Sequence, residues 1–497
     1  MRIFRIAPSP TGYVHLGTAK SWIINHALAQ STNGKLILRI EDTDLKRNKL
    51  EVVDTLIEDI KWLGIEYDLG PEKGKKDEYF QTERFPLYQK FVDQLIAENK
   101  AYKAYETPEE RELQIKEQRG KGQTPIYSGA HANLTEEEQA AFEAEGRTPI
   151  IRMRVPKGED ITFKDAVFGE IKVSTTSIGD IAIQKSDGSP LYNFAVAIDD
   201  HDMEVTDVVR GFGHLANTPK QILVYRLFDW DIPSFAHFSD VLNPDGKGKL
   251  SKRHGAKSVF QYRSEGYLPD AIFNYIIVIS CSFTFSTKDE EIMTREHIYE
   301  VVSPDKILKT NSRFDPQKLD WMNGQHIRLL EKKEFIEHIL NWLTTDARNL
   351  PQFFDEFDAS LIGTFIQHEA LLRQALPLVH TRINRFMDIF EQLSFFFIPP
   401  QREDIDISPA RHEKDEFDKA ALILYNLTIS LTEGYDHTEW EHAIRTEAEN
   451  LGWKHGDLFM ALRILIVGSR FSPPLYESMQ LLGIEECSKR IKKYLSL

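Results

Sequence analysis

Cysteine is nearly absent from this chain, which has only two among its 497 residues, Cys281 and Cys487. Two thiols so far apart in sequence cannot supply a disulfide framework or a four-thiolate zinc site, and such sparing use is typical of a reducing compartment. The first residues lack the apolar core of a signal peptide, and polar Asn274 and Ser280 interrupt the longest apolar stretch, residues 272–283. We therefore expect a cytoplasmic protein that does not enter a membrane.

A surplus of positive charge is also lacking: 77 acidic residues against 61 Lys and Arg give a formal net charge of −16. General coating of polyanions needs clustered Lys and Arg, so any nucleic-acid partner must be met by a local basic patch. Hydrophobic residues make up 41% and charged residues 28%, which is typical of folded domains. The length predicts about three of them.

The first hundred residues predict alternating strands and helices. A period-two pattern at residues 2–7, turn residues at 8–12 and a helical pattern at 19–30 give a strand, a loop and a helix. Residues 35–40 and 52–63 repeat the strand and the helix. This order indicates an α/β fold with a parallel sheet.

Beyond residue 100 the pattern changes twice. Residues 101–188 combine a charged segment with β-branched runs at 148–155 and 161–173, which we interpret as an inserted domain. Strand and helix patterns resume afterwards, and beyond about residue 320 the patterns are almost entirely helical. The amphipathic runs of this last part cover residues 335–343, 370–393, 417–431 and 458–467.

Two short segments carry candidate chemistry. His15 and Gly17 form an H-x-G at a predicted helix start, where free backbone amides favour a phosphate and glycine allows close approach of a nucleotide. Taken alone, a packed histidine beside a helix-starting glycine is the more ordinary explanation. The second segment, "GKGKLSKRHG" at residues 246–255, contains Lys252, which could clamp departing phosphates, although a solvated basic turn explains the charges equally well.

Together these segments resemble the signatures of the class I aminoacyl-tRNA synthetases, of the "HIGH" and "KMSKS" kinds. Further stretches resemble the glutamyl-tRNA synthetase family in order and approximate spacing. They are "APSPTGYVHLG", "LRIEDTD", "PLYNFAVAIDD", "NTPKQ", "KLSKRHGA", "LDWMNGQHI" and "DLFMALRILIVG".

The resemblance implies a Rossmann-like catalytic domain formed by residues 1–100 and 189–240, interrupted by an α+β connective domain at 101–188 that meets the acceptor end. Residues 241–323 would hold the basic loop and a stem-contact region, and residues 324–497 would form an all-α anticodon-binding domain. The implied activity is ATP-dependent attachment of L-glutamate to the 3′ end of tRNA for glutamate through a glutamyl-adenylate, with release of AMP and pyrophosphate. We expect Mg²⁺ to accompany ATP and the protein to be a monomer, and whether tRNA for glutamine is also charged stays open.

The resemblance also implies the site residues. Catalysis would depend on His15, Gly17 and Lys252, and the ATP site would add Thr18, Lys249, Ser251 and Arg253. The glutamate site would comprise Arg5, Ala7, Ser9, Glu41, Tyr192 and Arg210. The residue types suit these roles, because Glu41 can bind the ammonium and a guanidinium can hold the side-chain carboxylate. A buried guanidinium facing the neutral amide of glutamine would cost several kcal/mol.

The sequence departs from the family pattern at two places. After Arg210 the usual R-G-E-D-H is replaced by "RGFGH", so that Phe212 and Gly213 stand where two acids are usual. In the insertion, the positions that match a zinc knuckle of many relatives hold Ala104, Glu106, Tyr127 and His131, so we expect no structural zinc and assign no metal-binding residues.

Three other enzymes and one non-enzyme compete with this interpretation. Glutaminyl-tRNA synthetase carries carboxyl-terminal β-barrels, and a shortened relative that glutamylates a tRNA base lacks the anticodon domain, so the long helical part disfavours both. A generic nucleotidyltransferase needs no KLSKR loop. A non-catalytic tRNA-binding or regulatory paralogue is suggested by the missing acids but does not explain why His15, Lys252, Arg5 and Glu41 occur together.

Overall fold

The structure is a computed structural model that describes residues 1–43, 50–74, 78–250, 256–430 and 436–496. It contains two compact units. The first comprises Met1–Phe260 and Ile272–Asp315, and the second comprises Gln261–Ala271 and Pro316–Leu497. Within the described ranges, no helix is both long enough and apolar enough to cross a membrane.

The first unit is built on a six-stranded sheet. Its strands are β1 (Ile3–Ile6), β2 (Lys35–Leu38), β5 (Asp160–Asp165), β6 (Gly169–Ser174), β8 (Asp207–Gly211) and β9 (Ser234–Phe238). They lie in the order β2-β1-β8-β9-β5-β6. All neighbouring pairs are parallel except the β5–β6 hairpin. The predicted α/β class, with its first two strands, is confirmed.

Several helices of the first part of the chain pack apolar side chains against this sheet. Val92 of the third helix, Phe194 of the sixth and Ile222 of the seventh share a buried cluster with Ile37 and Val208 of the sheet. In chain order, the α-helices described up to residue 301 are α1 (Leu16–Ser31), α2 (Leu50–Trp62), α3 (Phe85–Ala97), α4 (Pro108–Gly120), α5 (Glu136–Ala144), α6 (Tyr192–Asp202), α7 (Thr218–Leu227), α8 (Val259–Ser264), α9 (Pro269–Ser280) and α10 (Arg295–Val301).

Residues 101–188 contribute to two different sheets. Strands β3 (Ala101–Ala104), β4 (Ile150–Met153) and β7 (Ile181–Gln184) form a separate antiparallel sheet, accompanied by α4 and α5. Both helices begin with a capping box, in which a threonine side chain and a glutamate three residues later satisfy each other's backbone amides. The β5–β6 hairpin instead extends the six-stranded sheet, because Asp165 pairs with Phe235 of β9. A short parallel pair, β10 (Val241–Leu242) and β11 (Ser312–Arg313), completes the strands of the described residues.

Every regular element among the described residues of the second unit is a helix. Its helices enclose one apolar core that includes Phe335, Phe365, Phe417, Leu458 and Ile491. They are α11 (Pro316–Leu329), α12 (Lys332–Thr344), α13 (Ser360–Gln367), α14 (Glu369–Ala375), α15 (Asp388–Leu393), α16 (Lys414–Ser430), α17 (His437–Leu451), α18 (His455–Val467), α19 (Leu475–Leu482) and α20 (Ile484–Leu495).

One predicted helical run, residues 370–393, is wrong as a single element. Helix α14 ends at Ala375, a 3-10 turn covers Leu376–Leu378, and α15 begins only at Asp388. Pro377 has no backbone N–H and its ring clashes with the preceding turn, so an α-helix cannot continue through it. Buried Leu376, Val379 and Ile383 preserve the apolar spacing across the break, which explains why the pattern looked continuous.

Candidate functional site

A cavity of about 560 Å³ opens at the carboxyl ends of β1, β2 and β8. In an open parallel sheet, ligands bind where the chain leaves neighbouring strands in opposite directions. Here β1 lies between β2, which follows it directly, and β8, which arrives much later in the sequence. The segments after these strands and the starts of α1 and α6 therefore supply the walls of the cavity.

The structure brings most of the predicted site residues to this cavity. All six residues predicted to bind glutamate line it: Arg5, Ala7, Ser9, Glu41, Tyr192 and Arg210. Gly17, Thr18 and Lys249 of the predicted ATP site also line it. Ser251, Lys252 and Arg253 lie outside the described residues.

The H-x-G segment lies against both described ends of the basic loop. A Cβ placed on Gly17 would lie 3.0 Å from the ring of His15 and 3.7 Å from the carbonyl oxygen of Leu250. On the other side of the loop, Ser258 forms a β-bridge with His15. Leu250 and Ser258, which lie on either side of residues 251–255, therefore both meet this segment.

Arg5 and Glu41 belong to a buried network of ion pairs with Arg39 and Asp200. The Asp200 carboxylate accepts hydrogen bonds from Arg5 Nε at 3.2 Å and from Arg39 Nη1 at 2.7 Å. Arg39 also donates through Nη2 to Glu41 Oε1 at 3.1 Å. Burial alone would raise the pKa of Asp200, but Arg5 and Arg39 lower it below its usual value, so the aspartate stays ionised.

Glu41 differs from Asp200 in the direction of its pKa shift. Burial raises its pKa above the ordinary value even though Arg39 and Arg5 act in the opposite direction. A cationic group entering the cavity would stabilise the ionised carboxylate, which suits an ammonium ligand. Arg39 and Asp200 were missed as site residues, although both stand inside the quoted motifs "LRIEDTD" and "PLYNFAVAIDD".

Arg210 is a buried cation that has no carboxylate within ion-pair distance among the described residues. Its Nη2 donates to Thr218 Oγ1 and Gln221 Oε1, both at 2.8 Å, and its Nε donates to His237 Nε2 at 3.1 Å. No described atom accepts a hydrogen bond from its buried Nη1. Burial lowers the pKa of this guanidinium, so an anion reaching the cavity beside it would gain a strong partner.

The unusual "RGFGH" segment follows directly from Arg210. Gly213 and His214 line the cavity, and His214 Nδ1 lies 3.1 Å from the Tyr192 hydroxyl. Burial, together with the positive charge of Arg210, lowers the pKa of His214 to about 4, so its ring is neutral near pH 7. The Phe212 ring points elsewhere, 4.9 Å from the ring of Phe168 and 44% exposed. Phe212 and Gly213 therefore place no carboxylate beside Tyr192 and Arg210.

The positions that match a zinc knuckle do not fit a zinc ion. Glu106 forms an ion pair with Arg152, whose guanidinium carbon lies 3.8 Å from the centre of the Tyr127 ring. The Nδ1 atom of His131 accepts a hydrogen bond from the Tyr105 amide at 3.2 Å. Glu106 Oε1 and His131 Nδ1 are thus engaged by the protein, Ala104 offers no ligand atom, and the Arg152 guanidinium supplies the positive charge beside Glu106. Across the described ranges, no group of three or more His, Cys, Asp or Glu could hold a metal.

Comparison with known proteins agrees with this geometry. Residues 3–321 match the family model of the class I tRNA synthetase (E and Q) catalytic domain, and residues 329–495 match an anticodon binding domain. A glutamate–tRNA ligase of Symbiobacterium thermophilum is 37% identical over 501 aligned residues, covering 99% of this chain and 99% of its own. One of Staphylococcus saprophyticus is 37% identical and covers 99% and 98%.

Solved structures agree as well. A glutamate tRNA ligase from Elizabethkingia meningosepticum, determined in complex with its amino acid, is 29% identical with a TM-score of 0.81 and covers 100% of this chain and 99% of that one. The glutamate–tRNA synthetase of Elizabethkingia anophelis is 29% identical with a TM-score of 0.80, and both chains are covered completely. With a catalytic-domain model matched over more than half its length and relatives aligned from end to end, this chain belongs to the glutamate–tRNA ligase family of class I tRNA synthetases.

Proposed function

We propose that this protein attaches L-glutamate to the 3′ end of tRNA for glutamate in two steps at the cavity beside Arg210. The observation that carries the choice of amino acid is the buried Arg210 guanidinium, whose Nη1 has no acceptor among the described residues. A side-chain carboxylate satisfies this donor and neutralises its charge, whereas the amide of glutamine leaves a desolvated cation uncompensated. Glu41, which follows β2 on the other side of β1, suits the amino acid's ammonium.

In the first step, an oxygen of the glutamate α-carboxylate attacks the α-phosphorus of ATP, and pyrophosphate leaves. His15 and Lys252 donate hydrogen bonds to phosphate oxygens as negative charge grows there, and Gly17 lets the nucleotide approach the backbone. Mg²⁺ bound with ATP would offset part of the phosphate charge. In the second step, a terminal ribose hydroxyl of tRNA attacks the acyl carbon and AMP leaves, so no bond to the protein forms.

The same proposal assigns tRNA-binding roles to the rest of the chain. Residues 101–188 meet the acceptor end of tRNA, and residues 324–497 read the anticodon. Support for the second role comes from the anticodon binding domain model matched by residues 329–495. We further propose that the protein acts as a cytoplasmic monomer, and charging of tRNA for glutamine is a question for the assay below.

Glutamate-dependent exchange of pyrophosphate into ATP, measured with and without tRNA, tests the first step directly. We expect exchange with glutamate and at least about a hundredfold lower kcat/KM with glutamine, equivalent to about 2.7 kcal/mol. Aminoacylation of purified tRNA for glutamate and for glutamine then tests the second step. Silence with glutamate under both conditions would favour the non-catalytic tRNA-binding paralogue.

The role of Lys252 is tested by Lys252→Ala. We expect the single-turnover rate of adenylate formation to fall about a hundredfold or more, because the lysine acts on charge that develops in the transition state. The glutamate dissociation constant should change less than about threefold. Lys61→Ala, which removes a surface lysine paired with Glu72, is the matched control. An unchanged single-turnover rate in the Lys252 variant would contradict this role.

A further inference from the structure

Three buried side chains, Asp165, His237 and Arg210, form a hydrogen-bonded chain that ends at the cavity described above. The Nδ1 atom of His237 lies 2.6 Å from Asp165 Oδ2, and the Nε2 atom of the same ring accepts a hydrogen bond from Arg210 Nε at 3.1 Å. His237 is fully buried and Asp165 is 1% exposed. Neither Asp165 nor His237 lines the cavity, whereas Arg210 does.

The hydrogen bonds define the protonation state of His237. Two groups face Nε2: Arg210 Nε–H, which can only donate, and the Thr218 hydroxyl at 3.2 Å, whose oxygen already accepts from Arg210 Nη2 and whose own proton is available to donate. With a donor on each contact, Nε2 acts as an acceptor and carries no proton. The remaining proton must be on Nδ1, where it is donated to Asp165 Oδ2. Burial and the charge of Arg210 lower the pKa of His237, which agrees with a neutral ring. The imidazole therefore presents an acceptor, in one tautomer, to the guanidinium.

Asp165 is itself held rigidly. Its Oδ1 accepts hydrogen bonds from the backbone amides of Val167 and Phe168, both at 2.9 Å, which form the turn between β5 and β6. Oδ2 is thereby left for His237. The orientation of the carboxylate is fixed by the same turn that attaches the hairpin to the six-stranded sheet.

These hydrogen bonds fix the orientation of the Arg210 guanidinium. With Nε held by His237 and Nη2 by Thr218 and Gln221, the guanidinium plane cannot rotate, and Nη1 is the nitrogen left without a described acceptor. We propose that Asp165 and His237 are positioning residues that aim Arg210 at the side-chain carboxylate of glutamate by holding His237 in the Nδ1-protonated tautomer. This proposal rests on the function proposed above and adds the source of its amino-acid selectivity.

Asp165→Asn tests the tautomer with little change of shape. The asparagine oxygen can still accept from Val167 and Phe168, which leaves its NH₂ group facing His237 Nδ1. The ring must then lose its Nδ1 proton and carry one on Nε2, directly opposite the Nε–H of Arg210. Asp160→Asn is the matched control, since Asp160 lies on the same strand but pairs with Lys172 on the surface.

Two substitutions of His237 separate its two nitrogens. In His237→Asn, the side-chain amide can reach the Nδ1 position and bond Asp165, but no acceptor faces Arg210. In His237→Gln, the longer side chain can place its oxygen near the Nε2 position and accept from Arg210. If His237 had a purely structural role, the asparagine and glutamine variants would have similar KM values for glutamate. The proposal predicts instead that only the glutamine variant keeps a KM for glutamate close to that of the unmodified chain.

The kinetic measurement is glutamate-dependent ATP–pyrophosphate exchange in the presence of tRNA. We expect Asp165→Asn and His237→Asn to raise the KM for glutamate about tenfold or more, with the KM for ATP changed less than about twofold. His237→Gln should recover most of the glutamate KM, and Asp160→Asn should match the unmodified chain. Glutamate KM values within about twofold of normal in folded Asp165→Asn and His237→Asn would overturn the proposal.

A second measurement does not require activity. In full-length protein labelled with ¹⁵N-histidine, the His237 resonances, assigned with the His237 variants, should show a protonated Nδ1 and an unprotonated Nε2, reversed by Asp165→Asn. A protonated Nε2 in the unmodified chain would overturn the proposal. If that tautomer is found but no exchange occurs with glutamate, the proposed function fails while the positioning of Arg210 stands.

Discussion

Gly17, the second residue of α1, lies so close to His15 that a side chain there would disturb the imidazole. A Cβ at this position would lie 3.0 Å from both Nδ1 and Cε1 of the ring, closer than ordinary contact. We therefore expect Gly17→Ala to raise the KM for ATP about tenfold and to change the KM for glutamate much less, as measured by pyrophosphate exchange.

Gly363→Ala gives the matched control for this substitution. Gly363 also lies within a helix, and nothing stands within 4 Å of a Cβ placed there. Equal ATP KM values in the two variants would show that the ring of His15 tolerates the added methyl group.

The residues of the candidate site differ in how readily the sequence alone identifies them. Glu41 and Arg210 stand in motifs and Arg5 lies two residues before one, so a resemblance was enough to name them. His237 belongs to no motif, and its role follows from the register of two strands, in which Arg210 is the partner of His237 across β8 and β9. Such a pair is set by sheet alignment rather than by spacing along the chain, and one sequence does not contain that information.

At the scale of elements, the segment around Gly266 is a sensitive point of the second unit. Gly266 has a positive φ of 79°, and a Cβ there would overlap the Cβ of Phe386 and lie 2.8 Å from its backbone nitrogen. That same nitrogen donates to the Gly266 carbonyl at 3.1 Å, so the backbones cannot separate without losing this bond. We expect Gly266→Ala to lower the free energy of unfolding of this unit by about 2–4 kcal/mol.

Denaturation followed by near-ultraviolet circular dichroism would measure this loss. Gly120→Ala is the control, because a Cβ at the end of α4 meets nothing within 4 Å and the substitution should be neutral or slightly stabilising. A midpoint for Gly266→Ala equal to that of Gly120→Ala would contradict the expected clash.

Elements were predicted from the sequence more accurately than their pairing was. The strand at residues 2–7 and the helix at 19–30 were recognisable because a short period and flanking turn residues are local signals. The pairing of β5 with β9 could not be recognised, because residues 101–188 are contiguous in sequence and no local signal assigns one of their hairpins to a distant sheet. Pro377, by contrast, was a readable signal of the break between α14 and α15.

At the scale of the whole molecule, composition indicated several domains, and the change from mixed to helical patterning located the main division. The structure has a helical unit from Pro316 onward, close to the change of pattern near residue 320. It also assigns Gln261–Ala271 to that unit, because Leu268 and Ala271 join its apolar core. A segment so short carries too little pattern to reveal which core it enters.

Because the net charge is −16, tRNA must bind through local groups of Lys and Arg rather than through overall attraction. Surplus negative charge repels phosphate at long range, but at physiological salt the screening length is only about 8–10 Å, so local Lys and Arg can still contact the backbone. Each phosphate neutralised releases counterions, and log affinity should fall linearly with log salt concentration. Anisotropy of labelled tRNA for glutamate, titrated with protein between about 50 and 300 mM KCl, measures this slope, and we expect a loss of about tenfold or more over that range. A flat response would mean that binding does not depend on phosphate contacts, and it would contradict the view that small basic regions overcome the overall charge.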